Sequence, residues 1–121
     1  MNLLSYFEIP VNDLDRAVDF YEKVLEIALE KTTVDGYPMA LFPAAEGEGG
    51  PSGALAQGDV YVPTVNGSIL YFSVRSIDDV VSRAVAAGGC ELYPKKQVDE
   101  GVSVAEIGDT EGNRIALIMT T

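Results

Sequence analysis

Phe7-Glu8-Ile9-Pro10-Val11-Asn12-Asp13-Leu14-Asp15-Arg16-Ala17-Val18-Asp19-Phe20-Tyr21-Glu22-Lys23-Val24-Leu25 decides the fold of this chain, because its periodicity changes in the middle. From Leu3 to Val11 the residues alternate as in a strand. Phe7, Ile9 and Val11 share one face, and Leu4, Tyr6 and Glu8 share the other. Pro10 places the end of the ladder, or a sheet edge, nearby. Asn12-Asp13 then offers an N-cap, and Leu14, Ala17, Val18, Tyr21, Val24 and Leu25 recur at helical spacing. The pattern predicts an amphipathic helix over about residues 13–25.

Working outward, residues 28–34 read as a strand, Asp35-Gly36 as a tight hairpin turn, and residues 37–42 as the return strand. Residues 44–53 are small, Gly-rich and acidic, without periodicity. They form a loop, either a plain connector or a flap over a site. It is no phosphate loop, since it carries acid and lacks the Lys-Ser/Thr ending. A short strand at 54–57 follows. The connector 59–66 holds Tyr61 and Pro63, expected to brace it or a subunit contact rather than touch a ligand. Residues 68–74 are strand-like. Ser76-Ile77-Asp78-Asp79 resembles a capping box, Ile77, Val80, Val81 and Ala84 give a helix its stripe, and Gly88-Gly89 ends it. Three strands, at about 91–98, 102–108 and 114–119, complete the chain. The order β-α-β-β-β thus occurs twice. Val74-Arg75-Ser76-Ile77-Asp78 echoes Val11-Asn12-Asp13-Leu14-Asp15, a weak internal repeat. Neither half buries its apolar face well alone, so the two are expected to combine.

The chain has 121 residues, enough for one domain or two packed halves, and its 47% hydrophobic content suffices for a core without a metal or disulfide staple. Eight Lys and Arg against 19 Asp and Glu give a net charge of -11. That charge argues against nucleic acid and anionic membrane surfaces as partners. No basic, apolar leader opens the chain and no apolar run is long enough to span a bilayer, so a cytoplasmic protein is expected. The lone Cys90 is expected to be a small packing residue. There is no histidine, which excludes Ser-His-Asp and Cys-His nucleophile systems.

The opening stretch, with its Asp-Leu helix entry and Phe20-Tyr21 pair, resembles the vicinal oxygen chelate superfamily, the glyoxalase/bleomycin resistance/dioxygenase group. Asp109-Thr110-Glu111-Gly112-Asn113-Arg114-Ile115 is similar to the family's Asp-Pro-x-Gly-Asn turn, with Thr110 in place of the usual Pro. The likeness implies an α+β fold. Paired βαβββ modules, about 1–58 and 67–121 of a single domain 1–121, would form a curved mixed sheet around a cavity with helices outside. Enzymes of the family hold a divalent metal in that cavity with His, Glu or Gln, and the metal acts as a Lewis acid. By the resemblance those ligand positions fall at Tyr6, at Leu55 or Gln57, at Ile69 and at Ala116. Of these only Gln57 could coordinate, and one neutral amide does not hold a divalent ion. No metal and no other cofactor is expected.

Alternation then gives the cavity lining. Tyr6 and Glu8 come from the first strand, and Ile69, Tyr71 and Ser73 from the fifth. Val104 and Glu106 come from the seventh, and Ala116 and Ile118 from the eighth, with Arg114 near the rim. Met39, Leu41, Leu55 and Gln57 are expected to add to it. Such a lining suits a small, partly apolar or aromatic molecule. Glu8 and Glu106 are the acid/base candidates, and Glu8 has the alternative of pairing with Arg114 or reaching solvent. Three readings follow: a metal-independent small-molecule binder of the homodimeric bleomycin-resistance kind; a metal-independent lyase or isomerase using Glu8 or Glu106; and a partner-binding module with a filled core.

Overall fold

The computed structural model describes residues 3–121. Among these, the elements run β1 (Phe7–Val11), α1 (Leu14–Leu25), β2 (Glu30–Val34), β3 (Tyr37–Leu41), β4 (Gly53–Gln57), β5 (Tyr71–Ser73), α2 (Ile77–Ala86), β6 (Cys90–Asp99), β7 (Val102–Gly108) and β8 (Arg114–Thr120). They form two four-stranded sheets of matching order, β1-β4-β3-β2 and β5-β8-β7-β6. In each, the first and last strands of the half pair in parallel and the others antiparallel, so the fold is α+β with mixed sheets.

Both helices start where the sequence provides a cap. The Asp13 carboxylate accepts from Arg16 N at 3.1 Å and the Ser76 hydroxyl from Asp79 N at 3.2 Å, each satisfying an otherwise orphaned donor. The apolar stripes then meet on one side of both sheets. Tyr21, Val24, Ile77 and Val80 pack with Ile9, Leu55, Ile107 and Leu117 in one continuous core. Phe7, Phe42 and Phe72 link the two sheets, with ring centroids 5.1–6.0 Å apart. No helix among the described residues is long and apolar enough to cross a membrane.

Alternation was misleading at β4. Ile9 pairs with Leu55 and Val11 with Gln57, so both point to the helix side, and Leu55 is fully buried in the helix-side core. Ala54 and Ala56 take the opposite face with Met39 and Leu41. Gly53 through Ala56 are all buried, which leaves no polar-apolar alternation from which to read the phase. β5 is also shorter than expected. Ile69 precedes it, although bonds from Ala116 N to Leu70 O and from Val74 N to Ile118 O extend the ladder by one residue at each end. Cys90, expected to pack inside, lies exposed at the start of the edge strand β6.

Candidate functional site

The open face of the first sheet carries a carboxylate held by two phenols. Tyr6 donates to Glu8 Oε2 at 3.0 Å and Tyr61 to Glu8 Oε1 at 2.9 Å. In the first contact, Tyr6 directly precedes β1 and stands two residues from Glu8, the spacing at which an extended chain puts side chains on one face. The connector sets the second: Tyr61 N donates to Gly58 O at 3.1 Å, and the Tyr61 ring meets Tyr37 edge-on at 5.3 Å. Beneath them Met39, Ala54 and Ala56 make a buried apolar floor. Burial and the Glu8 carboxylate push the Tyr6 phenol up to about 12. Tyr61 is raised too, mainly by its hydrogen bond to Glu8, and Tyr37 by the charge of Asp59. All three phenols therefore stay neutral donors at physiological pH, and Glu8 is an oriented acceptor.

The open face of the second sheet is organised by register. Tyr71, Ala116, Glu106 and Tyr93 lie in line across β5, β8, β7 and β6, and Ser73, Ile118 and Val104 make the next row. Ala116 is fully buried, whereas Tyr71 is 54% exposed. Arg114 Nε lies 3.6 Å from Glu106 Oε1 and, though buried, makes no hydrogen bond. Glu8 and Arg114 line one small hollow of about 160 Å³, together with Pro10, Thr64, Ser68 and Asn113. The two do not pair: Arg114 turns to Glu106, and Glu8 to the tyrosines.

Of the residues proposed from sequence, the first-sheet face brings together Tyr6 and Glu8, and the second Tyr71, Ser73, Glu106, Arg114 and Ala116. Gln57 is elsewhere. Its side-chain oxygen accepts from Leu14 N at 2.7 Å, so it finishes the α1 N-terminus on the helix side. Ile69, half-buried, lies outside β5. Tyr61, expected to brace the connector or a subunit contact, donates to Glu8. No spacing signal joins residues 53 positions apart.

The metal expected of the family's enzymes does not suit these donors. Tyr6 is engaged with Glu8, Gln57 with a backbone amide, and Ala116 has no donor atom. Among the described residues no group of three or more Cys, Asp or Glu side chains is placed to hold a metal ion.

A second structural cluster explains the turn motif. Asp109 Oδ1 accepts from Glu111 N at 2.7 Å and Asn113 N at 2.9 Å, and Asp109 Oδ2 accepts from the buried Tyr21 hydroxyl at 2.6 Å. Thr110, where the family commonly has Pro, donates its hydroxyl to Glu111 Oε2 at 2.8 Å. Glu111 Oε1 in turn accepts from Asn12 N at 2.9 Å and Asp13 N at 2.8 Å. The two stretches that carry the family likeness are thus in contact with each other.

Among proteins of curated function, none matches this chain. Solved structures do. A glyoxalase/bleomycin resistance protein from Albidiferax ferrireducens T118 is 20% identical, with a TM-score of 0.69 over 99% of this chain and 100% of that one. A glyoxalase/bleomycin resistance protein/dioxygenase family enzyme from Burkholderia phytofirmans PsJN is 17% identical, with a TM-score of 0.70 and 98% of both chains covered. A mutant glyoxalase I from Zea mays is 20% identical with a TM-score of 0.72, covering 96% of this chain and 45% of that one. At these identities the structures establish the fold alone. Residues 3–117 match the family described as the Glyoxalase/Bleomycin resistance protein/Dioxygenase superfamily, and the chain belongs to it.

Proposed function

We propose that this chain, a single domain of modules 1–58 and 67–121, binds a small, partly apolar molecule without a metal ion. The observation that carries this reading is Glu8. Its carboxylate is fixed by Tyr6 and Tyr61 above an apolar floor of Met39, Ala54 and Ala56. A few convergent polar groups over an apolar surface are what a small-molecule site needs. Arg114 and Glu106 offer a second polar pair on the other sheet. A homodimer in the cytoplasm is part of the proposal. Tyr71 and Tyr93 fall in one row of the second sheet and remain 54% and 40% exposed, apolar surface that a second copy would cover. A metal-independent lyase or isomerase is the second reading, favoured by two carboxylates, Glu8 and Glu106, on open sheet faces.

A thermal-shift screen of metabolites and aromatic antibiotics tests the binding reading, because a ligand of the native state raises its stability. Hits should shift the wild type, and shift Tyr61→Phe and Glu8→Gln less. A screen without hits, or hits indifferent to both substitutions, rejects this site. Turnover of a hit that Glu8→Gln abolishes, with binding kept, selects the enzyme reading.

A further inference from the structure

The two halves enter their helices at equivalent points and complete them differently. At α1, the turn between β7 and β8 delivers the Glu111 carboxylate to Asn12 N, Asp13 N and the Arg16 guanidinium. The equivalent entry in the second half is Arg75-Ser76, and the equivalent connection is the long segment 43–52 between β3 and β4. That segment closes on itself: Ser52 Oγ donates to Pro43 O at 2.8 Å and Glu48 N to Ala45 O at 2.9 Å. Among the described residues, none of its carboxylates hydrogen-bonds or pairs with Arg75 or Ser76. A cleft of about 550 Å³ is open there instead.

Its lining combines an apolar wall with a polar rim. Phe42 and Phe72 stack at 6.0 Å with 27° between their planes, and Ile27 and Val80 extend the apolar wall. Two arginines stand at it. Arg83 is committed, donating to Val24 O at 3.1 Å and lying 3.6 Å from Glu26. Arg75 is not. Six of the eight basic residues stand in ion pairs among the described residues, and the two that do not are Arg75 and Lys96. In so acidic a chain, a guanidinium without an acid beside an aromatic-walled cleft is suited to a ligand that brings the acid.

We propose that this cleft binds a small aryl or alkyl monocarboxylate, with the carboxylate on Arg75 and the apolar body against Phe42 and Phe72. A single negative charge fits better than a dianion, because Glu26 and Asp79 also line the cleft. Of the lining predicted from sequence for the other site, the cleft shares Ser73 alone.

The test is titration calorimetry of the full chain with phenylpropionate and with its neutral isostere phenylpropanamide, with backbone NMR to locate the contact. Phenylpropionate should bind saturably, the amide about tenfold more weakly, and the shifts should centre on Phe42 and residues 72–83. Arg75→Gln should weaken the acid by about tenfold, and Lys96→Gln, which removes the same charge elsewhere, should leave it unchanged. Equal binding of acid and amide overturns the proposal. So do equal effects of the two substitutions, shifts mapping elsewhere, or no saturable binding. The amide comparison uses unaltered protein, so it stays decisive whatever the variants do to folding.

Discussion

The Glu111 carboxylate receives Arg16 at 2.7 and 3.0 Å, across 95 positions of sequence. The same carboxylate takes the backbone N–H groups of Asn12 and Asp13, so one buried side chain in the last tight turn completes the first helix entry. Replacing it leaves the part-buried Asn12 and Asp13 N–H groups without their acceptor. Glu111→Ala should cost about 3 kcal/mol in urea unfolding, with the slope of the transition unchanged. Arg16→Ala should cost less, since Arg16 is half exposed and Glu111 keeps its backbone donors.

The same group sets an acid limit. Burial alone would raise the Glu111 carboxyl. Hydrogen bonds from Arg16, Thr110, Asp13 and Asn12 outweigh it and bring the value from 4.5 down to about 2. A depressed folded value stabilises the protein above the unfolded value, and that stabilisation is lost as pH falls through the folded one. The Glu111 contribution should therefore be complete above about pH 5 and drain away toward about pH 2, totalling roughly 3 kcal/mol. Unfolding curves across that window should show a shallower acid-side loss in Glu111→Gln, whose side chain has no proton to take up.

These contacts show where sequence reading succeeds and where it stops. The strand-to-helix change at Val11-Asn12, both caps and the repeat were legible because they depend on residues within a few positions of one another. Side-chain direction at β4 was not, because Gly53, Ala54, Leu55 and Ala56 are all buried and carry no alternation. The Tyr61–Glu8 and Gln57–Leu14 contacts were not, because each depends on how distant segments are set against one another. Glu111 was recognisable as part of a turn motif, but nothing in the motif names Asn12 as its partner.

Gly89 makes a steric prediction. A Cβ at this position would stand 2.4 Å from the Gly108 carbonyl oxygen and 2.7 Å from the Phe20 ring. The oxygen belongs to β7, so relief requires the α2–β6 junction to move as a whole. Gly89→Ala should destabilise by about 2–3 kcal/mol, read from the denaturation midpoint. Gly49→Ala, with nothing within 4 Å of the added methyl, should be close to neutral.

Tyr6 gives the open face a spectroscopic handle that needs no ligand. Burial first, and then the Glu8 hydrogen bond and charge, hold its phenol near 12 against an ordinary 10.0. For a group raised on folding, the stabilisation is present below the unfolded value and is lost as pH rises through the folded one. Buried Tyr21, bonded to Asp109, is raised as well, so the signal is a difference: ultraviolet titration of Tyr6→Phe should lack one late ionisation, near pH 12, that the wild type shows. Glu8→Gln removes the negative charge but leaves the burial, so it should move that titration only part of the way back toward 10. A full return would mean that the carboxylate alone sets it. No movement would mean that Tyr6 and Glu8 are not in contact in solution, and the binding face proposed around Glu8 would lose its organising pair.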